Sequence, residues 1–375
     1  MINGMKKKIV LLGSTGSIGQ QTLEIIRDNP DKFEVLALSS FGNNMQLFKR
    51  QCEEFSPLHF ATEKDDGAEA VSSLAALECD IVLNAITGSA GILSSEKAIK
   101  SGNYLALANK ESLVAGGEYL INQKQFADQI IPVDSEHSAI FQLLGSTNNY
   151  SKREVTRILL TASGGPFYSY SPKQLESVTK EEALNHPTWK MGPVVTINSS
   201  NLVNKALEVV EAHYLFDIQY EKIDVVVQPT SQVHSMVEFF DGSTLLQLSP
   251  PNMKLPISLA LNYPNRLEKA QNPETFAKPF SLEFKPLDSE KFSIVEFIKE
   301  KISLDWRAGI VFNAANEELV SAFLNQRIKY TTIIAELENI VSNFKIEHDI
   351  VNIDSIKSLE ARVREWTNEK IDAIS

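Results

Sequence analysis

Cysteine is almost missing from this chain: only Cys52 and Cys79 occur among 375 residues. Two thiols cannot build a disulfide framework, and their spacing suits no metal, so a reducing, cytoplasmic setting is the simplest expectation. Runs of basic residues are missing too. With 36 Lys and Arg against 48 Asp and Glu, the formal net charge is -12, which argues against nucleic acid as a partner. Long apolar runs are also lacking: the stretch that follows Lys6-Lys7-Lys8, Ile9 to Leu12, stops at Gly13, and nothing later is long enough to span a bilayer, so no membrane partner is expected. What is present is ordinary for a globular protein. The chain is 43% hydrophobic and 22% charged, a length and mixture that predict two or three domains with substantial cores.

From the first lysines to about Asp134, short apolar runs alternate with helix-like segments. The runs are Lys8 to Leu12, Phe33 to Leu38, Asp80 to Ile86, Tyr104 to Ala108 and Ile130 to Val133. This rhythm predicts a doubly wound (Rossmann-like) parallel sheet, whose ligands gather beyond the carboxyl ends of its strands. After the first run comes Gly13-Ser14-Thr15-Gly16-Ser17-Ile18-Gly19, leading into the helix-like Gln20 to Arg27. Glycines allow a tight turn and close backbone approach, and the free amides at a helix start attract a pyrophosphate, so a dinucleotide is expected here. The second run ends in Ser39-Ser40-Phe41-Gly42-Asn43. No acid stands there to take the ribose hydroxyls, which favours NADP over NAD.

Two carboxylates, Asp134 and Glu136, lie two residues apart where the last of these apolar runs ends. On a strand they would share a face and converge on one cation. A third, Glu208, follows Asn204 by one helical turn. Hard oxygen ligands favour Mg²⁺ or Mn²⁺ over zinc. Lys110, in Asn109-Lys110-Glu111-Ser112 after the Tyr104 run, could donate to a substrate oxygen and stabilise developing negative charge. Alone, Lys110 and Glu111 read equally well as an exposed ion pair.

Further along, Ser163-Gly164-Gly165-Pro166-Phe167 follows a strand-like run and could cradle an anion. Ser199 and Ser200 are expected as N-caps of the helix carrying Asn204, Lys205 and Glu208. Ser163, Ser199, Asn204 and Lys205 together would suit a phosphate, although singly each reads as an ordinary turn or cap. The segment His186-Pro187-Thr188-Trp189-Lys190-Met191-Gly192 looks like a lid. Phe312 to Leu324 and Tyr330 to Phe344 have helical apolar spacing and no catalytic cluster, so a helical bundle is expected.

Taken in order, GSTGSIG at 13 to 19, LANKESLV at 107 to 114, PVDSEHSAIFQ at 132 to 142, SGGPF at 163 to 167, HPTWKMG at 186 to 192, NKALE at 204 to 208, HSMVEF at 234 to 239 and FNAANE at 312 to 317 resemble the 1-deoxy-D-xylulose 5-phosphate reductoisomerase family. The resemblance implies an NADPH-binding domain over 1–134, an α+β catalytic domain over 135–262 with a flexible lid near 186–192, a linker over 263–288, a C-terminal helical domain over 289–375, and a homodimer. It implies Asp134, Glu136 and Glu208 as metal ligands, with Lys110, Glu136 and Glu208 central to catalysis. Lys110, Ser135, Glu136, Ser163, His186, Ser199, Asn204, Lys205 and Glu208 would contact the phosphorylated substrate. Of these, His186 is promoted by the resemblance alone. Thr15, Gly16, Ser17, Ile18, Gly42, Asn43, Asn109, Glu111 and Gly192 would contact NADPH. One departure matters: Gly42 stands where the pattern has a basic residue. The implied activity is rearrangement and reduction of 1-deoxy-D-xylulose 5-phosphate to 2-C-methyl-D-erythritol 4-phosphate, with NADPH and Mg²⁺ or Mn²⁺.

Overall fold

The computed structural model describes residues 6–145, 154–185, 189, 191–268, 270–273, 277, 279–347 and 349–374. The chain forms two compact units, each assembled from non-contiguous stretches: 1–112, 120–138 and 252–272 make the first, and 113–119, 139–251 and 273–375 the second. This differs from four consecutive segments. Residues 263–272 of the expected linker belong to the first unit, and its far end forms a strand of the second.

The first unit alternates β1 (Lys7–Leu12), α1 (Ser17–Asp28), β2 (Phe33–Ser40), α2 (Met45–Phe55), β3 (His59–Thr62), α3 (Glu63–Ser73), β4 (Ile81–Asn84), α4 (Ile92–Lys100), β5 (Tyr104–Leu107), the two ends of α5 (Glu111–Ile121), whose middle belongs to the second unit, β6 (Ile130–Pro132) and the start of α6 (Ser135–Gly145). The strand order is β3-β2-β1-β4-β5-β6, and every pairing is parallel. Ile9 to Leu12 and Ile81 to Leu83 are almost fully buried, as expected for central strands covered on both faces, so their sequences read as continuous apolar runs rather than alternations. The predicted doubly wound sheet is thus present. The strand missing from the sequence reading is β3, an edge strand whose His59 and Phe60 are exposed and which therefore carries no apolar run.

In the second unit the elements are β7 (Val155–Ala162), α7 (Pro172–Leu175), α8 (Lys180–Ala183), α9 (Pro193–Ser200), α10 (Val203–Phe216), β8 (Ile223–Val227), β9 (Val233–Phe239) and β10 (Thr244–Leu248). Next comes α11 (Lys254–Asn262), which returns to the first unit and packs on α1. There Lys254 pairs with Glu24 at 3.4 Å, Lys7 donates to the Tyr263 carbonyl at 2.5 Å, and the Tyr263 hydroxyl donates to Asp128 at 3.2 Å. The second unit resumes with β11 (Lys285–Pro286), α12 (Ile294–Leu304), α13 (Ala308–Leu324), α14 (Tyr330–Asn343) and α15 (Ile353–Ile374). Its sheet runs β10-β9-β7-β8-β11, with β7 and β8 parallel and the other neighbours antiparallel. Pro286 is tolerated because β11 is an edge strand, where a missing N–H breaks no interior ladder. The C-terminal helices form the expected bundle, with α13 packed against α9, α12, α14 and α15. Being buried along most of its length, α13 is apolar on nearly every side.

Candidate active site

The carboxyl edge of the first sheet begins with the loop between β1 and α1. Gly13 and Ser14 donate their amides to the Ser39 carbonyl at 3.1 and 2.8 Å, and Gly16 donates to the Gly13 carbonyl at 3.1 Å. These bonds fold the loop tightly over the neighbouring strand. At Gly19 a side chain has no room, since a Cβ would lie 2.6 Å from Ser14 Cα. The α1 N-cap, Gly16, offers no side chain to the first-turn amides, which leaves them for an anion. Gln51, on α2, braces the loop from below: it accepts from Ser14 Oγ at 2.8 Å and donates to the Ser14 carbonyl at 3.0 Å. Nothing in the local sequence distinguished Gln51 from a surface glutamine. Thr15 and Ile18 are half-buried, and Gly16 and Ser17 exposed. At the end of β2, the Ser39 and Ser40 hydroxyls are buried without a partner among the described residues.

After β5, Asn109 is buried and its side chain is fully engaged. It donates to the carbonyls of Ile86 at 2.6 Å and Gly88 at 2.8 Å, and to Glu111 at 3.2 Å, while its oxygen accepts from the Ser112 amide at 2.9 Å. Expected as a cofactor contact, Asn109 locks the ends of β4 and β5 together. Next to it, the Lys110 ammonium donates to Asp134 Oδ2 at 2.7 Å, with both side chains mostly out of solvent, 13% and 12% exposed.

The strand argument for Asp134 and Glu136 is corrected by the structure. β6 ends at Pro132 and α6 begins at Ser135, so the pair straddles a helix start instead of sharing a strand face. Asp134 acts as the N-cap: its Oδ1 accepts from the Glu136 amide at 3.1 Å, satisfying a donor that would otherwise be orphaned. The same oxygen accepts from His137 Nδ1 at 2.9 Å. His137 is fully buried and went unremarked in the sequence, because a three-residue spacing is invisible once the segment is read as a strand. Burial alone would push the Asp134 carboxyl up. The charges and hydrogen bonds of Lys110 and His137 reverse this and hold it well below the usual carboxylate range. Ser135 donates to Glu136 Oε2 at 2.6 Å.

The second unit gathers its own set. β7 runs as expected into Ser163-Gly164-Gly165, and Ser163 Oγ accepts from the Gly165 amide at 3.2 Å. A Cβ at Gly165 would stand 3.0 Å from the Ser199 carbonyl, so the turn and the end of α9 meet backbone to backbone. Ser199 and Ser200 are not N-caps of α10. They form the last turn of α9, and Ser200 shares a hydrogen bond of 3.0 Å with the Tyr330 hydroxyl. The N-cap of α10 is Leu202, which offers no side-chain cap; Asn201, one residue earlier, accepts from the Val203 amide through Oδ1 at 3.0 Å. On α10, Asn204 donates to Glu208, one turn on. Lys205 donates to the Thr161 carbonyl at 2.5 Å and pairs with Glu208, both side chains being almost fully buried. Glu211 follows on the same face three residues later, wholly buried; the sequence reading passed over it as one more helical acid. Trp189 lies 6.4 Å from the His234 ring, and Gly192 is the N-cap of α9. His186, Pro187, Thr188 and Lys190 lie outside the described residues.

Comparison with known proteins decides the family. Models of the 1-deoxy-D-xylulose 5-phosphate reductoisomerase family match residues 9–76 and 58–117, its C-terminal domain 130–216, and the DXP reductoisomerase C-terminal domain 248–366. The chain belongs to the 1-deoxy-D-xylulose 5-phosphate reductoisomerase family. The reductoisomerase of Arthrobacter sp. (strain FB24) is 44% identical over 97% of this chain and 98% of its own length. That of Mycobacterium tuberculosis (strain ATCC 25177 / H37Ra) is 46% identical over 89% of this chain and 83% of its own length. Among solved reductoisomerases, one in complex with NADPH, fosmidomycin and magnesium has a TM-score of 0.89 at 34% identity, covering 98% of both chains. Another, from Zymomonas mobilis in complex with NADPH, has a TM-score of 0.86 at 32% identity, covering 98% of this chain and 99% of that one. The reductoisomerase motifs quoted from the sequence therefore stand in a chain of that fold. Among the described residues, no helix is long and apolar enough to cross a membrane.

Proposed function

We propose that this chain converts 1-deoxy-D-xylulose 5-phosphate to 2-C-methyl-D-erythritol 4-phosphate, using NADPH and a divalent cation, Mg²⁺ or Mn²⁺. The observation that carries the reading is Asp134, held ionised by Lys110 and His137 at the carboxyl edge of a sheet whose first loop is shaped for a pyrophosphate. A carboxylate already deprotonated can take a dication without releasing a proton, and its neighbour Glu136 supplies a second hard oxygen. We assign Asp134, Glu136 and Glu208 as the metal ligands. NADPH fits the same unit: Gly19 admits the close approach a pyrophosphate needs, and the unpartnered Ser39 and Ser40 hydroxyls lie at the strand end that serves the ribose. We assign Thr15, Gly16, Ser17, Ile18, Gly42, Asn43, Asn109, Glu111 and Gly192 as its contacts.

When bound, the cation polarises the substrate's ketone and stabilises charge as the carbon skeleton rearranges. NADPH supplies the hydride. Lys110 is the chain's own contribution at the reacting oxygens, an ammonium 2.7 Å from a ligand carboxylate, so that it can donate to an oxygen gathered at the same ion. Ser135, Ser163, His186, Ser199, Asn204 and Lys205 bind the substrate, with Ser163, Ser199, Asn204 and Lys205 at its phosphate. Binding energy from the phosphate, remote from the reacting carbons, is available to hold the reacting end of the substrate in place.

We place the enzyme in the cytoplasm, in keeping with two free thiols, Cys52 and Cys79, and as a homodimer. Leu245 and Leu246 on the edge strand β10 and the nearby Phe240 are exposed, an apolar edge that a second copy would cover. The net charge of -12 disfavours nucleic acid as a partner. The deciding experiment is NADPH oxidation with 1-deoxy-D-xylulose 5-phosphate after chelator treatment, with and without added Mg²⁺ or Mn²⁺. Turnover that persists without metal, or that fails with it, overturns the reading.

A further inference from the structure

A 2′-phosphate distinguishes NADPH from NADH and calls for a cation at the adenosine end of the site. The loop after β2, Phe41-Gly42-Asn43-Asn44, carries none. The structure brings one from elsewhere. Lys64, in the first turn of α3 after the edge strand β3, hydrogen-bonds through its amide to the Phe41 carbonyl at 3.1 Å. Its aliphatic stem lies along Gly42, where a Cβ would stand 3.1 Å from Lys64 Cβ and 3.4 Å from Cγ and Cδ. Its ammonium sits 5.4 Å from the centroid of the Phe41 ring.

Gly42 and Lys64 therefore read as one adaptation. Gly42 has φ +101°, a conformation that disfavours any side chain, and one there would press on the Lys64 stem, which would have to shift. Removing the side chain at 42 makes room for a cation that arrives from the neighbouring crossover. Two of the three acids in this first turn are engaged at the helix start: Asp65 accepts from Thr62 Oγ1 at 3.0 Å and Asp66 from the Thr62 amide at 2.8 Å. Lys64 itself is exposed and makes no ion pair among the described residues, so its ammonium is available. Two buried, unpartnered hydroxyls, Ser39 and Ser40, end the adjoining strand. Being consecutive on β2, they point to opposite faces of the sheet, so one of them stands on the cofactor side.

We propose that Lys64 is the residue that recognises the 2′-phosphate, and so sets the NADPH preference, in place of a basic residue in the β2–α2 loop. This rests on the NADPH reading given above. Lysine acts here as a point charge on a flexible stem, suited to a phosphate dianion that needs no bidentate fork.

The test compares affinities for NADPH, NADH and 2′,5′-ADP in wild type, K64M and K64R, by fluorescence titration or calorimetry, after wild-type turnover has been measured. K64M should weaken NADPH and 2′,5′-ADP about tenfold and leave NADH unchanged. K64R should retain most of the preference. Because Lys64 is exposed, its loss should not disturb folding, and unchanged NADH binding is the internal control. If wild type turns over with NADPH but K64M binds it as tightly as wild type, or loses NADPH and NADH equally, the assignment of Lys64 falls and the enzyme reading survives. A wild type that binds NADPH no better than NADH overturns both.

Discussion

Replacing Lys205 by Met removes a buried cation while keeping most of its stem. In the unliganded protein the Lys205 ammonium serves the Thr161 carbonyl at 2.5 Å and the Glu208 carboxylate, with side chains only 5% and 2% exposed. Screening by water is slight at such burial. Stripping one partner from a buried pair leaves the other charge uncompensated, a loss of about 3 to 5 kcal/mol. Lys205→Met should therefore melt lower by roughly 6 to 20 °C, taking about 2 to 4 °C per kcal/mol for a unit of this size. The double variant Lys205→Met/Glu208→Gln should recover part of that loss, because the stranded carboxylate has gone, giving a coupling of about 2 kcal/mol between the two sites. Thermal melts of wild type, both single variants and the double variant, without ligand, measure it. Added Mg²⁺ should raise the melting temperature of Lys205→Met more than that of the double variant, since a dication can replace the missing ammonium only where Glu208 remains. A Lys205→Met protein that melts within a degree of wild type, or a double variant that loses the sum of the singles, would refute the reasoning.

Asp134→Asn and Glu208→Gln should each abolish most turnover while leaving NADPH affinity within about twofold, as fluorescence titration and a steady-state assay at limiting metal would show; near-normal activity in either removes that residue from the metal set. Gly19→Ala places a methyl 2.6 Å from Ser14 Cα, an overpacking cost of about 1 to 3 kcal/mol; NADPH affinity should fall along with melting temperature, and unchanged affinity would mean that the loop does not hold the pyrophosphate. Burial pushes the Cys79 thiol up to about 12, so the reactive thiolate is nearly absent at pH 8. Its modification by a disulfide reagent should be slow in the folded protein and fast after denaturation, and rapid labelling of native Cys79, located by mass spectrometry, would contradict this.

Sequence and structure agree most closely where one physical signal dominates. Central strands such as Ile9 to Leu12 are buried on both faces and announce themselves as apolar runs. The glycine loop and the one-turn spacing of Asn204 and Glu208 were likewise readable, because turn chemistry and helix periodicity act over a few residues. Legibility ended where tertiary context chose between local options. Asp134 could end a strand or cap a helix, and the chain caps a helix there, which also created the contact with His137. Ser199 and Ser200 are good capping residues that instead finish one helix, while the next begins after Leu202, which caps it with no side-chain bond. Gln51 and Lys64 act on loops distant from them in sequence, and no short-range pattern encodes such a partner.

The return of α11 to the first unit ties the timing of that unit's folding to synthesis of the second. Residues 252–272 complete a unit whose other stretches end at Ser138, so the α1 flank that α11 covers waits bare while the intervening chain is made. At about 5 to 20 residues per second that interval is on the order of ten seconds. During it the α1 flank lies exposed beside an otherwise complete sheet, a state in which nascent chains aggregate or recruit chaperones. A truncation that ends before Asn252, though it spares every residue of the glycine loop, Lys110 and Asp134, would therefore injure the N-terminal unit as well as the second.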